Sequence, residues 1–131
     1  MNKNKFSAEY EINASNKMLY PYLNTASGLG EWFADKVILD DDKNFLFTWD
    51  KAITKGKKTA QKVNQYVKFE FFPVNSTEKK DFAYVEFKLD VNEITQTSFL
   101  KIVDYSETDD PKELKELWDN LIISLKDRVG G

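Results

Sequence analysis

An α+β fold, made of a strongly curved antiparallel sheet of about seven strands, two short helices and one long C-terminal helix, is predicted by three features of the sequence. Stretches of period-2 alternation recur between Phe6 and Val91. Neighbouring stretches set apolar residues against apolar residues when they are folded into hairpins. A 3.6-period apolar stripe then runs along residues 111–129. Hairpins followed by a helix leave one sheet face in need of cover, and the helix supplies it. The 131 residues are expected to form one domain, 1–131.

Residues 5–13 alternate Phe6, Ala8, Tyr10 and Ile12 against Ser7, Glu9 and Glu11, the pattern of a half-buried strand. Ser15 is placed to cap a short helix over Asn16 to Asn24, with Met18, Leu19, Tyr22 and Leu23 at helical spacing and a kink at Pro21. A second short helix is expected around Leu29 to Ala34, after a break at Gly28. Lys36 to Leu39 and Phe45 to Trp49 read as a hairpin about Asp40-Asp41-Asp42-Lys43-Asn44, with Phe45, Phe47 and Trp49 on one face. The run Lys51 to Lys58 sets four lysines around a glycine and reads as an exposed loop leading into a strand. Thr59 to Val63 and Tyr66 to Phe72 follow as a pair about Asn64-Gln65, although neither face of the first arm is cleanly apolar.

The clearest alternation is Val67, Phe69 and Phe71, continued after a PVNSTEKKD loop by Ala83, Val85, Phe87, Leu89 and Val91. Pairing Phe69 with Val85 and Val67 with Phe87 also sets Lys68 opposite Glu86 on the outer face. The last hairpin, around Glu93 to Gln96, sets Leu89 against Leu100 and Phe87 against Ile102. The final helix has Asp110 at its N-cap, Pro111 in its first turn and Glu113 completing a capping box. Its stripe is Leu114, Leu117, Trp118, Leu121, Ile122, Leu125 and Val129, and Gly130 and Gly131 end it.

The charge balance narrows the function classes. Nineteen basic and 22 acidic residues give −3 overall, spread along the chain, so no basic field exists to draw nucleic acid. The lysine run is read as a solvated stretch rather than a phosphate or membrane patch. With no cysteine and no histidine, disulfides, thiolate chemistry, the commonest general base and the commonest transition-metal ligand are all missing. No cofactor is expected. The start, MNKNKFSAEYEIN, has no apolar run behind its lysines, and no stretch approaches a membrane span, so no membrane insertion and a cytoplasmic location are expected.

The stretch LYPYLNTASGLGEWFADKV, Leu19 to Val37, resembles the helix-loop-helix of the START-like (SRPBCC) superfamily, with Leu23, Thr25, Trp32 and Phe33 as the matching residues. The short length and the Trp32-Phe33-Ala34-Asp35 segment are most similar to the heat-shock-protein ATPase activator branch, and to small START-like proteins of Bacteroidetes. The resemblance implies a helix-grip fold over the whole chain. Many members hold a lipid, sterol, polyketide or other apolar molecule between the sheet and the C-terminal helix. The superfamily also holds cyclases, co-chaperone domains and Rieske-type oxygenase subunits; the Cys and His ligands of the last have no counterpart here.

The function expected first is non-catalytic binding of an apolar, lipid-like or aromatic small molecule. A twisted sheet of this width is too broad for one helix to cover, and 15% of the residues are aromatic. The inward candidates are Trp32, Phe33, Phe47, Trp49, Phe69, Phe71, Phe87, Leu89, Leu100, Ile102, Trp118 and Ile122. Plain core packing is the competing reading for each. Glu31, Asp35, Asp50, Asp104, Tyr20 and Tyr105 stand near the expected mouth as rim residues or, singly, as a buried acid; no spacing forces two of them together, so no catalytic residue is named. Asp40, Asp41 and Asp42 lack the order of a calcium loop and read as a charged turn. An outer Phe72 and Phe82 pair and Ile123, off the helix stripe, leave self-association into a homodimer open. A chaperone partner is the alternative that follows from the resemblance, and a cyclase or hydrolase ranks third.

Overall fold

The computed structural model describes residues 3–72, 82–107 and 110–130. The expected PVNSTEKKD loop lies outside them. The chain forms β1 (Asn4–Ile12), α1 (Asn16–Asn24), α2 (Ala26–Leu29), β2 (Lys36–Leu39), β3 (Phe45–Trp49), β4 (Ala52–Lys62), β5 (Tyr66–Phe72), β6 (Tyr84–Asn92), β7 (Thr97–Ser106) and α3 (Pro111–Val129). The seven strands make one antiparallel sheet in the order β1-β7-β6-β5-β4-β3-β2. Sequential hairpins account for every neighbour but one: β1 closes against the last strand, β7.

The meander has the register its alternation predicts. Phe69 pairs with Val85, Val67 with Phe87, Leu89 with Leu100 and Phe87 with Ile102, and Lys68 does face Glu86. The outer charges nevertheless choose other partners. Lys68 Nζ lies 3.8 Å from Glu70 and 4.3 Å from the Tyr84 ring centroid, while Glu86 accepts a hydrogen bond from the Tyr66 hydroxyl.

The expected loop at Lys51 to Lys58 is corrected to strand. Asp50 and Lys51 alone make the turn, both at positive φ, 49° and 70°, as a two-residue hairpin of the primed type requires. β4 therefore starts at Ala52. Gly56 lets it pass under the aromatics, since a Cβ there would lie 2.8 Å from a Phe47 ring carbon. A bulge between Lys58 and Ala60 then switches the inward row from even to odd residues, which is why neither face of this arm reads as apolar.

The expected helix around Leu29 to Ala34 is corrected too. Thr25 Oγ1 accepts from the Gly28 amide at 2.9 Å, so the helix starts at Ala26, and Gly28 lies inside it. Gly28 is required there by close approach: a Cβ would lie 2.1 Å from the Pro21 carbonyl oxygen and 2.6 Å from Tyr22 Cα. After Leu29 the amides of Trp32, Phe33 and Ala34 all turn back to the Leu29 carbonyl, which drives Trp32 and Phe33 inward, each 5% exposed.

Ser15 caps α1 as expected, accepting from the Met18 amide at 3.1 Å, but Met18 itself points outward and Tyr20 is buried in its stead. Asp110 caps α3 through the amides of Lys112 and Glu113, and Gly130 ends it at φ 82°. Leu114, Trp118, Ile122 and Leu125 form its buried face; Leu117, expected in that stripe, is 50% exposed because it lies about 100° round the helix from Trp118.

Two tyrosines anchor this layer arrangement. Tyr10 donates to Asp119 Oδ1 at 2.8 Å, tying β1 to α3, and Lys115 holds the same carboxylate at 2.8 Å from the next turn. Tyr20 donates to the Tyr66 carbonyl at 3.1 Å, tying α1 to the sheet. Burial first, then the hydrogen bond and charge of Asp119, pushes the Tyr10 hydroxyl well above its usual pKa; burial, then Glu86, does the same for Tyr66, and burial raises Tyr20.

Replacing Gly28 by Ala is expected to destabilise the protein by about 1–3 kcal/mol in urea unfolding, because a backbone contact rather than a flexible side chain blocks the new methyl. The three raised phenols contribute stability that is complete below the unfolded-chain pKa of about 10 and is lost as pH rises toward their folded values. An alkaline titration followed by ultraviolet absorbance should therefore show Tyr10, Tyr20 and Tyr66 ionising together with the loss of circular dichroism. Smooth ionisation of all six tyrosines in a folded protein would contradict this.

Candidate functional site

The inward rows of the strands thin out toward one end of the sheet. On β7, Leu100 and Ile102 are fully buried, and the same row continues into the half-buried Asp104 and Ser106. On β5, Val67 and Phe69 are sealed and Phe71 is half-buried; on β3, Phe45 and Phe47 are sealed and Trp49 is half-buried. At this end the sheet and α3 enclose a cavity of about 410 Å³. Thr54, Phe71, Ala83, Val85, Asp104 and Ser106 form its strand side, Phe33 and Trp49 one wall, and Leu117, Trp118 and Leu121 of α3 its cover.

Ring geometry shapes this space. Phe33 stacks on Trp118 with centroids 5.8 Å apart and planes at 24°, and meets Trp49 edge-on at 5.3 Å. Both indole N–H groups are already engaged: Trp49 Nε1 donates to the Phe33 carbonyl and Trp118 Nε1 to Asp104 Oδ2, each at 2.8 Å. The wall rings therefore present only carbon to the cavity. Ser106 Oγ is the reverse case, a buried hydroxyl with no hydrogen-bond partner among the described residues.

Of the twelve inward candidates, Phe33, Trp49, Phe71 and Trp118 line the cavity. Trp32, Phe47, Phe69, Phe87, Leu89, Leu100, Ile102 and Ile122 are buried in the core beside it, where Trp32 and Phe87 meet edge-on at 5.7 Å. Among the rim candidates, Asp104 and Tyr105 border the space. Glu31 instead pairs with Arg128 at 3.1 Å, Asp35 accepts from the Asp50 amide at 2.8 Å, and Tyr20 belongs to the α1 anchor. Ser106 and Thr54 were not foreseen. The signal for Ser106 was present, since it continues the row Leu100, Ile102, Asp104 on an inward face where a polar residue needs a reason.

Asp104 is the lone carboxylate on the cavity among the described residues, so the arrangement offers an apolar chamber with a polar end and no pair of acids for proton shuttling. Asp40 folds its own turn, its carboxylate accepting from the amides of Asp42 and Asn44 at 2.9 Å; the Asn44 hydrogen bond, first among several, holds its pKa below the usual value. Among the described residues no group of three or more acidic, His or Cys side chains could hold a metal, and no helix is long and apolar enough to cross a membrane.

The START-like superfamily domain matches residues 1–131. Solved structures with this architecture include protein BfR322 of Bacteroides fragilis, 34% identical, covering 98% of this chain and 92% of that one with a TM-score of 0.63. They also include the Aha1 dimer of Colwellia psychrerythraea, 20% identical with 96% of each chain covered and a TM-score of 0.76, and protein MLL2253 of Mesorhizobium loti, 16% identical with 95% of each covered and a TM-score of 0.73. The last two speak to the fold alone. No curated protein matches the sequence. The chain belongs to the START-like superfamily, and its curved sheet gripping a C-terminal helix is that superfamily's helix-grip fold.

Proposed function

We propose that this protein is a cytoplasmic, non-catalytic binder of an apolar small molecule, held in the cavity between α3 and the open end of the sheet. The observation that carries the reading is the cavity itself: about 410 Å³ of space walled by Phe33, Trp49, Phe71 and Trp118, whose polar atoms are spent elsewhere. Pockets of about 300–1,000 Å³ with apolar walls and a few polar groups suit small ligands. Allowing roughly 30 Å³ per heavy atom, this one has room for about a dozen. Each methylene moved from water into it contributes about 0.8 kcal/mol. The half-exposed Leu117 at the flank of α3 would be covered by the same guest.

The side chains that favour a protein partner, a second copy of the chain or a chaperone, lie apart from one another. Phe72, at the end of β5, and Phe82, just before β6, pair with centroids 4.9 Å apart, and Ile123 lies exposed on α3, whereas the cavity walls converge. The binding reading is therefore placed first.

N-phenyl-1-naphthylamine, a neutral apolar dye, should brighten on titration with the protein. Leu121→Trp, which puts a second indole into the cover at a half-buried position, should abolish that response while the fold is retained by circular dichroism. No brightening with the unmodified protein, or equal brightening with the variant, would remove the cavity as the site.

A further inference from the structure

The polar end of the cavity is one-sided. Asp104 brings a carboxylate whose Oδ2 accepts from Trp118 Nε1, and among the described residues that indole is the one donor it engages. Ser106 Oγ, on the same row of β7, is buried and has no hydrogen-bond partner among the described residues. No lysine or arginine lines the cavity among the described residues. Lys3 and Glu107 border an adjoining shallow groove that shares Thr54, Phe71 and Ala83 with the cavity, and so bring one charge of each sign. Lys58, on the concave side of β4, is directed over the Phe45 ring, 5.6 Å from its centroid, and is not among the walls.

A guest therefore meets carbon along most of its length and, at one end, a carboxylate and a spare hydroxyl. A carboxylate head placed there would face Asp104 with no cation among the described lining residues to offset it, and like charges so placed are disfavoured. A head that donates a hydrogen bond would instead satisfy lone pairs left over on Asp104 and the orphaned hydroxyl of Ser106. The geometry points to a ligand class: an apolar molecule that ends in a hydrogen-bond-donating alcohol or amine, with fatty-acid anions excluded. This rests on the cavity reading above and narrows it.

Decanol, decylamine and decanoate share one chain and differ in the head, and each is titrated below its aggregation concentration against the full chain, following the emission of the wall residues Trp49 and Trp118. Decanol and decylamine should each bind at least about tenfold more tightly than decanoate. Asp104→Asn keeps an oxygen for Trp118 and removes the charge; it should raise decanoate affinity by about tenfold, lower that of decylamine and change decanol least. Decanoate binding as tightly as decanol to the unmodified protein would overturn the ligand class while leaving the cavity reading intact. Absence of binding by all three would overturn both. Should the variant fail to fold, the ranking on the unmodified protein still decides the matter.

Discussion

Trp118 governs how closely α3 can lie on the sheet. Its ring is 2% exposed and stacks on Phe33, and its N–H reaches Asp104 across the gap between helix and β7. Leaving a buried donor of this kind unmatched costs about 1–3 kcal/mol, so the indole and the carboxylate are held to one separation. That separation is larger than the small side chains beyond it can fill. Ala83, Ser106 and Thr54 occupy the strand side where the inner rows elsewhere carry Phe, Leu and Ile, and the cavity is the consequence.

The rest of the molecule keeps that arrangement rigid. Gly28 allows α2 to press onto the backbone of α1, which delivers the turn carrying Trp32 and Phe33 into the concave face. Gly56 clears the floor for Phe47 and Phe71, so that Phe33, Phe47, Trp49 and Phe87 form one set of rings in contact with Trp118 at its border. Tyr10 and Asp119 fix the far side of α3 to the edge strand β1. One covering helix is therefore enough for stability, even though it does not seal the whole sheet.

Much of this was legible before the structure was known, and for a definable reason. The meander from β5 to β7 could be registered because its inward residues are uniformly apolar, and a slip by one residue would have exposed Phe69, Phe87 and Leu100 together. The α3 start was legible because Asp110, Pro111 and Glu113 act through local backbone geometry. β4 was opaque for the opposite reason: its turn uses Asp50-Lys51 in place of the usual glycine pair, and its bulge interrupts the period. A helix of four residues whose capping residue, Thr25, also ends α1 leaves no periodic trace, so α2 was misplaced.

The site was read at the level of faces but not of depth. Alternation tells that Phe69 and Phe71 point the same way; it does not tell that one is sealed and the other borders empty space, because that depends on where α3 stops covering the sheet. The account stands on that space being open to apolar atoms in solution. Methyl NMR of the protein under dissolved xenon tests it directly. The methyls of Val85, Leu117 and Leu121 should shift saturably, with those of Leu23 and Leu29, fully buried away from the cavity, unmoved. No saturable shift at the first three would show that the rings and the helix close the gap, and the account would fail.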